Sequence, residues 1–214
     1  VHNHEIFMQR CLQLAEKGCG RVAPNPMVGA VLVYNDTIIG EGYHHYFGGA
    51  HAEVDCLNNV SAENKKYISK SILYVSLEPC CFEGKTPACT HLILLHKIPE
   101  VVIACRDPNV KVDGAGIEIL KQQGVKITLG ILEKEAKDLN KWFFTFQTKK
   151  RPYVILKWAQ TANGKIASAE YKPIKISNDF TNRLVHKWRS EIPAILVGAH
   201  TVITDNPSLT NRYW

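Results

Sequence analysis

A histidine, a glutamate and two cysteines in this chain have the types and order of a catalytic metal centre. His51-Ala52-Glu53 follows a glycine-rich loop, and Glu78-Pro79-Cys80 opens a segment that ends at Cys89. One imidazole nitrogen and two thiolates supply three tetrahedral zinc ligands and leave the fourth position for water, as in a catalytic site; a structural site normally closes with four ligands. Water bound at such a position is acidic enough to act as a nucleophile at neutral pH. Glu53, two residues past the histidine, is placed to move protons without binding metal. Cys81 is an alternative ligand, and Cys80 is preferred because it directly follows Pro79. His-Ala-Glu alone is common at helix starts and Pro-Cys alone is equally weak, so the reading rests on their combination.

The order matches H-x-E…P-C-x-x-C, the signature of zinc enzymes that deaminate nucleobases. Here the second cysteine follows the first by nine positions instead of three, so the loop is expanded. Gly84-Lys85-Thr86 imitates the end of a phosphate-binding P-loop. The motif G-x-x-x-x-G-K-[ST] requires an earlier glycine where Pro79 stands, and the P-loop reading is set aside.

These groups need a scaffold, and the composition supplies one. The 214 residues are 45% hydrophobic and 21% charged, which excludes a disordered, collagen-like or coiled-coil chain. No uncharged apolar run approaches the roughly 18 residues of a membrane helix. No basic stretch followed by an apolar core opens the chain, so it is expected to be cytoplasmic. Seven cysteines without an export signal are more often ligands, catalytic groups or core residues than disulfides. Cys11 and Cys105 sit in apolar patterns and are expected in the core. The net charge of +6 suits an anionic ligand such as a phosphate ester, and equally a solvated basic surface.

Periodicity predicts a helix from His4 to Lys17, a hairpin of Val28 to Tyr34 and Thr37 to Glu41 turning at Asn35-Asp36, and a short helix opened by His51. Strands at Ser71 to Leu77, Val101 to Cys105 and Val125 to Leu129 alternate with helices at Thr90 to His96 and Ile117 to Gln123. One long helix is expected from Leu132 to Phe146. This order implies a three-layer α/β domain with a mixed sheet, over residues 1–148. Lys149-Lys150-Arg151-Pro152 marks a boundary. Residues 149–214 then read as a strand at Tyr153 to Ala159, a turn at Asn163-Gly164, a helix from Asn178 to Arg189 and a strand at Ala194 to Gly198, too few for an independent α/β core.

Longer motifs carry a family resemblance. Asn25-Pro26-Met27-Val28-Gly29, Gly42-Tyr43-His44, His51-Ala52-Glu53, the run from Leu77 to Cys89, Asp107-Pro108-Asn109 and Gly114-Ala115-Gly116 resemble the bifunctional deaminase–reductase of riboflavin biosynthesis. So do Arg151-Pro152-Tyr153-Val154 and Asp205-Asn206-Pro207-Ser208-Leu209-Thr210. The resemblance implies a cytidine-deaminase-like domain followed by the start of a dihydrofolate-reductase-like one. It implies zinc on His51, Cys80 and Cys89, proton transfer by Glu53, and a base pocket lined by Asn25 and His44. In the second part it implies Ala159, Thr201 and Asp205 facing NADPH, and Arg189, Leu209 and Arg212 facing the substrate. The implied substrate is a small phosphorylated pyrimidine, with no nucleic acid or membrane as partner and with room for a homo-oligomer. The chain departs from the family at Phe82, usually histidine, at Ala88, usually proline, at Asn163, usually aspartate, and at Lys175, usually tryptophan. Most of the reductase half falls outside the sequence, so the chain is expected to deaminate without oxidising NADPH.

Overall fold

In a computed structural model that describes residues 3–82, 87–168 and 174–214, the chain divides into two compact units, Val1–Tyr153 and Val154–Trp214. The Gly84-Lys85-Thr86 sequence lies outside the described residues.

The first unit is organised by one hairpin. Asn35 and Asp36 both take positive φ, 47° and 57°, the tight mirror-image turn that asparagine and aspartate tolerate best after glycine. The turn pairs β1 (Gly29–Tyr34) with β2 (Thr37–Tyr43). β1 also pairs antiparallel with β3 (Ile72–Val75), and β3, β4 (Glu100–Ile103) and β5 (Lys126–Leu129) run parallel. The mixed sheet has the order β2-β1-β3-β4-β5. Parallel neighbours need crossover helices, supplied by α3 (Cys89–Leu95) and α4 (Ala115–Gln122).

Alternate residues of each strand enter opposite layers. Ala30, Leu32, Leu73, Val75, Val101 and Ile103 pack in one core with Ala52, Cys56 and Leu57 of α2 (Ala52–Asn58) and with Ile93, Ile117 and Leu120. Val31, Val33, Tyr74 and Val102 pack in the other with Phe7, Met8, Cys11 and Leu12 of α1 (His4–Glu16) and with Ala136 of α5 (Glu133–Leu139). With both faces covered, β1 reads as a continuous apolar run rather than an alternating one. Cys11 and Cys105 are fully buried, and burial pushes both thiols up, Cys105 to about 12.

The long helix expected from Leu132 to Phe146 is two helices, α5 and α6 (Lys141–Lys149), divided at Asn140. Asn140 leaves helical geometry, at φ −105° and ψ 26°, and its buried amide is turned onto the backbone of Met27. A side chain with its own backbone partner competes with the helix, which a hydrophobic pattern does not register.

The second unit holds α7 (Asp179–Glu191) and α8 (Ala199–Asp205). Asn178 caps α7 by accepting a hydrogen bond from the Thr181 amide at 2.8 Å. The turn at Asn163-Gly164 is present, with Gly164 at φ +78° and the Thr161 amide donating to the Lys165 carbonyl at 2.8 Å. The strands expected at Tyr153 to Ala159 and Ala194 to Gly198 do not form: among the described residues neither segment belongs to a ladder. β-propensity is realised only against a neighbour, and these apolar runs have none here. α8 is unanticipated, because its β-branched run from Thr201 to Thr204 disfavours a helix; Asn206, at φ 42°, ends it before Pro207.

Candidate active site

Two helix starts and the segment that follows one strand meet at one point. His51 is the N-cap of α2 and Cys89 the first residue of α3, while Cys80 follows β3. His51 Nδ1 lies 3.3 Å from Cys89 Sγ and 3.5 Å from Cys80 Sγ, and the three ligand atoms fall within 4.8 Å of one another. Three tetrahedral ligands with bonds of 2.0–2.3 Å sit about 3.6 Å apart, so the donor set and its spacing fit zinc. Cys81 instead places its sulfur 3.7 Å from the Lys111 carbonyl oxygen, outside this cluster.

The cluster is electrostatically primed to hold a cation. Hydrogen bonds from Cys89 and His51 hold the Cys80 thiol down at about 4, and the Cys89 amide at the start of α3 donates to the same sulfur at 3.3 Å. Cys89 is pushed up by the negative Cys80 beside it and by burial, and the hydrogen bond to Cys80 raises the His51 ring. Glu53, in the first turn of α2, is 4% exposed. Burial and then the Cys80 charge raise its carboxyl above the ordinary glutamate range, which suits a group that must take up and return a proton.

Packing sets the approach of α2. At Gly42 on β2 a Cβ would lie 2.1 Å from the Cys56 amide nitrogen, so only glycine lets the helix bearing Glu53 come this close to the sheet.

A cavity of about 330 Å³ opens beside the cluster, lined by Asn25, His44, His51, Glu53, Cys80 and Asp107 among others. His44 Nδ1 lies 2.8 Å from the Ala50 carbonyl, which fixes the proton on that nitrogen, and burial lowers the ring so that it stays neutral. Its Nε2 therefore accepts from the Asn25 amide at 3.1 Å. The sequence-assigned Asn25, His44, His51, Glu53 and Cys80 thus share one cavity, with Cys89 beside them.

Other lining residues had no role assigned from sequence. Asp107 and Asn109 come from the loop after β4, and Phe143, Phe146 and Gln147 from α6. Asp107 Oδ1 accepts from the Asn109 amide and Asn109 Oδ1 from the Lys111 amide, the self-bonded turn that Asp-Pro-Asn encodes. Burial pushes the Asp107 carboxyl up to about 6. Phe82 also lines the cavity.

Glu78 holds that loop against the cysteine segment. Its buried carboxylate accepts from the amides of Asp107 (3.2 Å), Gly114 (3.0 Å) and Ile117 (3.2 Å), capping α4 in place of the side chain that Gly114 lacks. A Cβ at Gly116 would meet the Pro79 carbonyl at 2.3 Å, which explains the second glycine of Gly114-Ala115-Gly116. Glu78→Gln keeps the shape but presents an NH2 to at least one of these donors. It is expected to lower unfolding stability by about 1–3 kcal/mol, read from urea midpoints; an unchanged midpoint would show that these bonds do not hold the loop.

In the second unit the residues assigned to the substrate converge. Arg189 donates to the Thr210 carbonyl at 3.1 Å, the Arg212 guanidinium to the Thr210 hydroxyl at 2.7 Å, and Leu209 adjoins them at φ 50°. Thr201 and Asp205 lie one turn apart on α8, and Ala159 has no described contact with either group.

A mixed sheet layered between helices, with this cluster at the strand ends, defines a cytidine-deaminase-like domain. The family of the cytidine and deoxycytidylate deaminase zinc-binding region matches residues 1–105, and the RibD C-terminal domain matches residues 152–214. The chain is 43% identical over 207 residues to the riboflavin biosynthesis protein RibD of Aquifex aeolicus, covering 97% of this chain and 57% of that protein. A crystal structure of a diaminohydroxyphosphoribosylaminopyrimidine deaminase/5-amino-6-(5-phosphoribosylamino)uracil reductase from Thermotoga maritima superposes with a TM-score of 0.90 at 46% identity, over 99% of this chain and 60% of that one. Acinetobacter baumannii RibD gives 0.90 at 36% identity, over 96% and 57%. Over nearly its whole length the chain is similar to bifunctional deaminase–reductases of riboflavin biosynthesis. It spans a little over half the length of the relatives it matches. Among the described residues no helix is long and apolar enough to cross a membrane.

Proposed function

We propose that this chain catalyses the zinc-dependent hydrolytic deamination of 2,5-diamino-6-ribosylamino-4(3H)-pyrimidinone 5′-phosphate, with residues 1–148 as the deaminase domain. The observation that carries the reading is the convergence of His51, Cys80 and Cys89 beside a buried glutamate in one cavity. The relatives' names support the choice of substrate.

His51, Cys80 and Cys89 would hold a zinc ion, whose Lewis acidity would make water a competent nucleophile near neutral pH. Glu53 takes one proton from the attacking water and passes it to the ring nitrogen. It then takes the second proton from the newly added hydroxyl and passes it to the departing amine. Water adds at the amine-bearing ring carbon, the carbon–nitrogen bond breaks and ammonia leaves. The neutral His44 ring and Asn25 form the wall that orients the pyrimidine, and the basic excess draws in the 5′-phosphate.

In the whole protein the region that begins at residues 149–214 belongs to an NADPH-dependent reductase of the ribosyl chain. Ala159, Thr201 and Asp205 are assigned to the cofactor there, and Arg189, Leu209 and Arg212 to the substrate. The reading takes the protein as cytoplasmic, with room for a homo-oligomer and without nucleic acid or membrane as a partner.

The test measures zinc content, ammonia release and NADPH oxidation on one preparation. One zinc per chain with ammonia released from the diaminopyrimidine phosphate is expected. A zinc-loaded chain that releases none would overturn the reading.

A further inference from the structure

Asn140 lies outside every motif that the function uses, yet it is 1% exposed and fully committed to one partner. Its Oδ1 accepts from the Met27 amide at 2.8 Å, and its Nδ2 donates to the Met27 carbonyl at 2.8 Å. Met27 comes just before β1, which begins at Gly29, so its peptide groups lie outside the sheet's ladder. A primary amide carries the donor and acceptor of a peptide unit, and here one side chain replaces a neighbouring strand.

The clamp joins two walls of the cavity. On one side it fixes the segment that contributes Pro24, Asn25, Pro26 and Val28, where the Asn25 amide bonds His44. On the other it marks the break between α5 and α6, after which Phe143, Phe146 and Gln147 enter the same cavity. Met27 packs among Ala15, Val22, Leu139 and Trp142, so both sides of the clamp also share an apolar cluster.

We propose that Asn140 is a positioning residue: by pairing with the Met27 backbone it holds the Asn25 segment and α6 at the separation that binds the pyrimidine. The proposal rests on the deaminase reading for its kinetic arm. It does not act through the metal cluster, whose ligands come from other elements, so its removal acts on substrate affinity rather than on the chemical step.

Asn140→Ala removes both bonds; Asn140→Asp keeps the size but sets an oxygen against the Met27 carbonyl. Both are compared with the wild type by amide hydrogen exchange, zinc content and steady-state ammonia release. Exchange at Met27 and Val28 is expected to accelerate at least tenfold while the amides of β3 and β4 stay unchanged. KM is expected to rise about tenfold with kcat within a factor of two or three and zinc retained. In a double-mutant cycle with Asn25→Ala, the KM effects are expected not to add.

Acceleration spread evenly over the sheet, a KM at the wild-type value, loss of zinc, or failure of both variants to fold would each overturn the proposal by making Asn140 a general stability residue. The exchange arm needs no substrate. A wild type that releases no ammonia would therefore remove the deaminase reading and the kinetic arm, and the exchange result would still decide whether Asn140 holds the segment.

Discussion

Glu53→Gln is expected to lower ammonia release by about 10²-fold or more while leaving zinc content and circular dichroism unchanged. The substitution preserves the length and shape of a buried side chain in the first turn of α2, so neither the helix nor the approach at Gly42 is disturbed. What it removes is basicity. An amide cannot take the proton of the attacking water and has none to return to the ring nitrogen or the leaving amine. The side chain keeps its size and its place in the first turn of α2, so the variant is expected to unfold at a denaturant concentration close to that of the wild type. Activity within a few-fold of wild type would rule out Glu53 as the proton carrier.

The ligand cluster was legible because few residue types bind zinc and their order along the chain is distinctive. His51, Cys80 and Cys89 come from three separate elements, but each is announced locally: the histidine at a helix start, one cysteine after a strand and Pro79, the other closing the loop. Glu78 and Asn140 carried no such signal. Glu78 sits beside the cysteine motif with no role assigned to it by sequence, and its partners are the amides of Asp107, Gly114 and Ile117. Asn140 pairs with a residue 113 positions away. Backbone amides are present at every position, so a sequence does not tell which of them a buried carboxylate or amide will find.

The same distinction explains the sheet. β1, β3 and β4 are apolar on both faces and were readable as buried strands, and each found its neighbour. Val154, Ile155 and Leu156 have the same composition but are exposed and pair with nothing among the described residues. Composition sets the capacity to form a strand, and the partner decides whether one forms.

Cys89→Ala is expected to lose most of the zinc by elemental analysis and, with it, ammonia release to the background. Three ligands are the minimum of a catalytic site, and the variant leaves only His51 and Cys80. The loss is local, because Cys89 begins α3 rather than lying mid-helix, and alanine is a strong helix former at that position. Its backbone amide remains, so the hydrogen bond to Cys80 Sγ survives and α3 keeps its start. Ile93 and the rest of the apolar face of α3 are unaltered. The expected outcome is thus a folded chain without metal, and added zinc should restore little activity. Cys81 sets the contrary outcome: its sulfur is on the Lys111 carbonyl, away from the cluster, so it is not expected to replace the missing thiolate. Full zinc in Cys89→Ala would reassign the third ligand, and a Cys81→Ala variant that lost its zinc would identify Cys81 as the group that had taken its place.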